Sequence, residues 1–227
     1  MNILALDTCT EMCSVAILKN GELFEQSLLT QRGHSEKILG MLDEILSQAD
    51  CGLADMDCIA FGRGPGSFTG VRVGVSVAQG IAFASKLPVV PVSTLAAVAQ
   101  RAIDEHGADY IAVAMDARMQ EVYSATYQSV DGLAELTGEE RVCLPELICL
   151  DNDSSFFAAG SGWKEYEALM TTKFSGQIHG MDNQLLPTAA AIAKLAVKQI
   201  ENGHTLAAEQ AMPVYLRDNV AKKKGEQ

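Results

Sequence analysis

Two places in this 227-residue chain open alike, with an apolar run ending on aspartate, a turn, and a second apolar run. The first is Ile3-Leu4-Ala5-Leu6-Asp7 followed by 13–18, and the second is 110–116, ending on Asp116, followed by 121–128. Short apolar runs bounded by turn formers read as buried strands, so the repetition predicts an α/β chain in two halves, each starting with a hairpin. Asn20-Gly21 joins 13–18 to 22–28; both positions of such a turn accept positive φ, which gives the first half three antiparallel strands. We divide the chain at 1–105 and 106–227, with a packed crossover near 103–109 because no low-complexity linker separates the halves.

Helical spacing appears at Ile38, Leu39, Leu42, Ile45, Leu46 and Ala49, with Ser35 as the expected N-cap and Cys51-Gly52 as the expected stop. A buried strand over 57–62 then runs into GRGPGSFTGVRVG, residues 62–74. By period alone 71–77 reads as strand and 78–84 as helix, while Gly70, Gly74 and Ala78 at four-residue spacing would give a helix a smooth face. A strand over 88–92, a helix from Ser93 to about 106, strand-like runs over 133–144 and 156–160, and helices near 163–170 and 188–202 complete the reading.

The glycine-rich segment meets neither formal nucleotide signature. A Walker loop requires a lysine on the phosphates, and none occurs between Lys37 and Lys86. The dinucleotide fingerprint needs a third glycine where Ser67 or Thr69 stands. Two readings stay open for Gly64, Gly66 and Ser67: backbone N–H groups at a helix start that meet an anion, or a tight turn that only sets the helix direction.

Seventeen Lys and Arg stand against 29 Asp and Glu, a formal charge of -12, so the chain is not expected to grip nucleic acid alone. Lys222-Lys223-Lys224 reads as a solvated tail. The six cysteines form no C-x-x-C pair and no two histidines among His34, His106, His179 and His204 are spaced i, i+4; no metal site is expected, and the cysteines read as buried hydrophobes. No apolar stretch is long enough to span a membrane, and the expected location is cytoplasmic.

The paired hairpins have the layout of the actin/Hsp70/sugar-kinase (ASKHA) superfamily, whose hairpins read Asp-x-Gly-x-Thr. Here the first reads Asp7-Thr8-Cys9-Thr10 and the second Asp116-Ala117-Arg118. A side chain where backbone should meet phosphate argues against efficient ATP turnover. Asp7 and Asp116 are either turn caps at strand ends or, in a free-standing ATP-dependent phosphotransferase, magnesium and water ligands.

ALDTCTEMCSVAILKNGEL, GRGPGSFTGVRVGVSVAQGIAFASKLPVVPVSTL, MDARMQEVYSATY and PVYLR together resemble the bacterial TsaB (YeaZ) family over nearly the whole chain. The resemblance implies a two-subdomain ASKHA fold, mixed sheets with flanking helices, and a helix over 68–85 against its local period. It implies a non-catalytic subunit of the complex that places threonylcarbamoyl on N6 of an adenosine beside the tRNA anticodon (t6A). The implied catalyst is the paralogue TsaD, with a His-x-x-x-His metal site that this chain lacks. TsaE and, functionally, TsaC are further implied partners, with a homodimer when TsaD is absent and tRNA reached only through the complex. No cofactor is expected to bind tightly; ATP and ADP are used by the complex. The implied interface is Ile38, Leu39, Leu42 and Ile45 on one helix and Val71, Val73, Val77 and Ile81 on the next. The implied cleft is Asp7, Thr8, Gly64, Gly66, Ser67, Asp116 and Arg118. Arg118 and Glu121 are expected to form an ion pair or meet a partner, Gly160-Ser161-Gly162 to hold adenosine or turn strand into helix, and His34 to sit at the interface rim. A peptidase finds no Ser/His/Asp order here, with Ser93 and His106 unplaced.

Overall fold

The computed structural model describes residues 1–30, 32–150 and 155–217; the lysine run at 222–224 lies outside them. The first half comprises β1 (Asn2–Asp7), β2 (Met12–Lys19), β3 (Glu22–Leu29), α1 (His34–Gln48), β4 (Cys58–Gly62), α2 (Phe68–Ser85), β5 (Val89–Val92) and α3 (Thr94–His106). Its strands lie in the order β3-β2-β1-β4-β5, antiparallel from β3 to β1 and parallel from β1 to β5. The second half comprises β6 (Tyr110–Arg118), β7 (Glu121–Val130), β8 (Leu133–Leu136), β9 (Arg141–Cys143), β10 (Phe156–Ala159), α4 (Ser161–Glu165), α5 (Glu167–Lys173), β11 (Ile178–Asp182) and α6 (Ala189–Glu201). Its sheet runs β11-β10-β6-β7-β8, with β9 also on β7.

Alternation decides which face of the first sheet each strand residue serves. Leu4, Leu6, Val15, Ile17, Ile59 and Phe61 face α1 and α2, while Ile3, Ala5, Ala16 and Ala60 face the alanine-rich α6. The packing does not follow the order of the chain, since the last helix is not kept by the second sheet. Residues 189–201 return to the first sheet, and Leu206 bridges to Val89.

Several local expectations are corrected. Gly33, at φ 84, precedes α1 and no side chain caps that helix, so Ser35 lies inside it. The chain leaves α1 through Asp50, at φ 45, before it reaches Cys51-Gly52. Residues 71–77 are helical: Val71 and Val75 enter the core, Val73 and Val77 lean outward, and valine on both sides imitates a strand period. The 133–144 run splits into two short strands on β7, and the 163–170 helix breaks at Tyr166 into α4 and α5. Ser67 and Ser93 do cap α2 and α3, and Ser93 is thereby spent on Leu95 and Ala96 N–H groups.

Candidate functional site

The first hairpin is sealed against the glycine segment. Thr8 Oγ1 donates to Gly70 O at 2.7 Å, Cys9 Sγ to Gly62 O at 3.3 Å, and Ser67 N to Cys9 O at 2.7 Å. A Cβ at Gly66 would lie 2.3 Å from Cys9 O, at Gly70 2.1 Å from Thr8 O, and at Gly62 1.9 Å from Asp7 Oδ1. Gly66 and Gly70 are required because the hairpin backbone occupies the space a side chain would fill, and Gly62 because the buried Asp7 carboxyl does. The turn-setting alternative for Gly66 and Ser67 is the one this packing favours. Ser67 N–H, an anion donor in other settings, already serves Cys9, and Gly70 N–H serves the Ser67 hydroxyl. Gly64, at φ 96, faces Val214 O at 2.9 Å from its Cβ position.

Asp7 is fully buried. Its Oδ2 accepts from Cys9 N at 3.3 Å, its Oδ1 has no partner among the described residues, and burial pushes its pKa up to about 7. The magnesium and nucleotide phosphate that the superfamily implies do not fit here. Asp7 has no open side, and the Thr8 and Cys9 carbonyls fill the space against Gly70 and Gly66. Among the described residues no three His, Cys, Asp or Glu side chains gather closely enough to hold a metal.

The second hairpin is built differently. Asp116 Oδ1 accepts from Arg118 N at 2.8 Å and its Oδ2 pairs with the Arg118 guanidinium at 2.9 Å. Arg118, Met119 and Gln120 turn the corner at φ 61, 54 and 63, and the Arg118 side chain is 86% exposed. The expected Arg118–Glu121 pair is absent, because Glu121 is taken by Arg217, which also donates to Ala117 O at 3.1 Å. Gly160 and Gly162 have Cβ positions 2.7 Å from Ala114 O and 2.9 Å from Ala114 C, so they let α4 approach β6 closely.

A strap over 213–217 joins the glycine segment and α2 to the second hairpin. Val214 N donates to Arg63 O at 2.8 Å, the Tyr215 hydroxyl accepts from Arg72 Nε at 2.8 Å, Leu216 packs on the second core, and Arg217 holds the second turn. Beside it, Arg63 pairs with Glu140 at 3.2 Å, whose other oxygen accepts from the Tyr127 hydroxyl at 3.0 Å. Nothing in the spacing of Tyr127 and Glu140 announces this contact.

The helix pair α1 and α2 needs the largest correction. Ile38, Leu42, Ile45 and Val71 are buried in the chain's own core and offer no surface to a partner. A helix advances about 100° per residue, so the sheet takes one side of the apolar stripe and Leu39, 55% exposed, lies on the other. Val73, Val77 and Ile81 are half-buried, and Phe68 and Phe83 are exposed. Beside them Gly40 and Gly80 open onto empty space. His34 Nε2 meets Thr10 O at 2.9 Å, so it ties α1 to the first hairpin. His106 pairs with Asp182 at 3.0 Å.

Two sheets with flanking helices, opened by two aspartate-ended hairpins, define an ASKHA-type fold. The family model described as "TsaD: tRNA N6-adenosine threonylcarbamoyltransferase" matches residues 27–225. The tRNA threonylcarbamoyladenosine biosynthesis protein TsaB of Haemophilus influenzae is 42% identical, with 99% of this chain and 97% of that protein covered. The protein of the same name from Escherichia coli is 41% identical, with 99% and 98% covered. The solved structure of YeaZ from Pseudomonas aeruginosa superposes with a TM-score of 0.90 at 44% identity over 95% of this chain and 99% of that one. The chain belongs to the TsaB (YeaZ) family. No helix among the described residues is long and apolar enough to cross a membrane.

Proposed function

We propose that this chain is a non-catalytic subunit of the complex that makes N6-threonylcarbamoyladenosine in tRNA, and that it supports the transferase TsaD by docking through the outward faces of α1 and α2. One observation carries the docking reading. α2 is an 18-residue helix with a single charged residue, and it keeps Val73, Val77, Ile81 and Phe83 wholly or partly at the surface after its own core is satisfied. A helix face apolar beyond what its sheet covers is suited to a second protein, and a stable interface takes roughly 800 Å² from each partner. The filled glycine segment supports the non-catalytic half of the reading, since Asp7 and the loop present nothing to a phosphate. TsaE and the product of TsaC act with the pair, ATP is turned over by the assembly, tRNA is met through it, and the same face pairs two copies of this chain when TsaD is absent.

The test is a reconstitution with tRNA, threonine, bicarbonate, ATP, TsaC, TsaD and TsaE, run with and without this chain, beside the chain with ATP alone. Modification that requires the chain, with ATP left intact by the chain alone, is the expected result. Full modification without it, or ATP turnover by it alone, would return Asp7 and Asp116 to consideration as the active site of a free-standing phosphotransferase.

A further inference from the structure

Arg72 is the one charged residue of α2. Among the described residues no carboxylate lies within ion-pair distance of it, although the chain as a whole carries -12. Its guanidinium carbon lies 3.4 Å from the centre of the Phe68 ring and 5.6 Å from that of Tyr215. The two rings are 6.0 Å apart and inclined by 33°. Nε donates to the Tyr215 hydroxyl at 2.8 Å, so the planar group is held by a ring and a hydrogen bond while both terminal nitrogens lack a protein acceptor among the described residues. An exposed arginine ordinarily loses side-chain freedom on binding; this one is already oriented, with its donor fork matched to two parallel oxygens. The strap residue Tyr215, reached only because the chain crosses back at Val214, is what orients it.

We propose that Arg72 is the anchor at which a carboxylate of the partner protein docks, with Phe68 and Tyr215 as its positioning residues. This rests on the docking reading above. The occupant follows from two facts. The TsaD family model matches residues 27–225 of this chain, so a TsaD partner carries the same helix pair. On this chain the first helix bears Glu36, Asp43 and Glu44 at the surface, and a partner helix of the same kind would offer Arg72 a carboxylate. The proposal sets the partner's first helix against α2, where Arg72 is the one charged residue available to a carboxylate. An RNA phosphate is the less suitable guest. The outward residues that follow Arg72 are Val73, Ser76, Val77 and Gly80, with no second cation to offset a phosphate chain.

The experiment titrates TsaD against the wild-type chain and against Arg72→Ala, Arg72→Lys, Tyr215→Phe and Leu39→Glu, at low and at high salt. Arg72→Ala is expected to weaken binding about 30-fold or more while lowering thermal stability only slightly, through the lost Phe68 stacking and Tyr215 hydrogen bond. Arg72→Lys should recover only part of this because an ammonium cannot fork onto a carboxylate. Tyr215→Phe should weaken binding several-fold, and wild-type affinity should fall with salt more steeply than that of Arg72→Ala. Binding of Arg72→Ala within twofold of wild type, with Leu39→Glu unable to bind, would overturn the anchor and leave the docking face standing. Unchanged binding by Leu39→Glu would overturn the docking reading itself. Unchanged TsaD affinity with reduced tRNA binding by the Arg72→Ala complex would overturn the carboxylate in favour of RNA.

Discussion

The two hairpins start from nearly the same pattern and end in opposite environments. At the first, Asp7 is fully buried and the turn after it is pressed into four glycine positions, Gly62, Gly66, Gly70 and Gly74. At the second, Asp116 keeps 13% of its side chain in solvent, holds an exposed Arg118, and is backed by glycines that touch β6 at Ala114 rather than the turn itself. The difference teaches that the aspartate alone does not make an ASKHA phosphate site. What matters is whether the backbone beside it is left open, and here one turn is closed by packing while the other is covered from outside by its own arginine and by the strap.

The sharpest way to break this comparison is to unseat the first turn. Gly70→Ala would place a methyl 2.1 Å from Thr8 O, a backbone atom that cannot swing aside, and should destabilise the chain by on the order of 4 kcal/mol or prevent folding. Gly80→Ala, with open space at the same helix, should instead stabilise it by about 0.5–1 kcal/mol. Urea unfolding of the two variants compares them directly, and equal effects would contradict the sealing of the first hairpin.

Next in size is the protonation of Asp7. Its folded pKa of about 7 stands above the ordinary aspartate value of 3.8, so between those values the folded chain keeps a proton that the unfolded chain has released. Stability is therefore fully present below about pH 4 and is lost as pH rises through 7, by at most roughly 4 kcal/mol. Asp7→Asn should flatten that fall and be the more stable protein at pH 8. Melting curves from pH 4 to 8 would show it; a steeper pH dependence in Asp7→Asn would contradict the burial argument.

The smallest effect belongs to the second turn. Met119 is 71% exposed and held at φ 54, a region that disfavours side chains. Met119→Gly should gain about 0.5–1 kcal/mol in urea unfolding from the relieved backbone, and a loss would mean that the Arg217 Nη1 contact with Met119 Sδ at 3.7 Å outweighs the strain.

Much of this was legible in the residues because local signals agreed with the tertiary result. Asn20-Gly21 marked the β2–β3 hairpin, Ser67 and Ser93 marked helix starts, and the alanine-rich run over 188–202 marked α6, though not the sheet it packs on. The rest depended on partners distant in sequence. Val71, Val73, Val75 and Val77 read as a strand until the sheet took two of them. Ile38 and Leu39 are equally apolar, and only the direction of the sheet decides that the first is core and the second surface. β11, with Gly180 and His179 in a short segment, carries no strand signal of its own and exists through pairing with β10. The strap was visible as Pro213-Val-Tyr-Leu-Arg217, but its contacts with Arg63, Arg72 and Glu121 span between 96 and 151 residues and leave no spacing to read.

The most direct test of the account compares aspartates with the helix face in one assay. In the reconstituted tRNA modification, this chain carrying Asp7→Asn or Asp116→Asn should support threonylcarbamoyl transfer at the wild-type rate, while Leu39→Glu or Gly80→Arg, folded to the same degree, should not support it. Loss of modification in the aspartate variants, with the helix-face variants fully active, would place the chemistry in this chain and contradict the account.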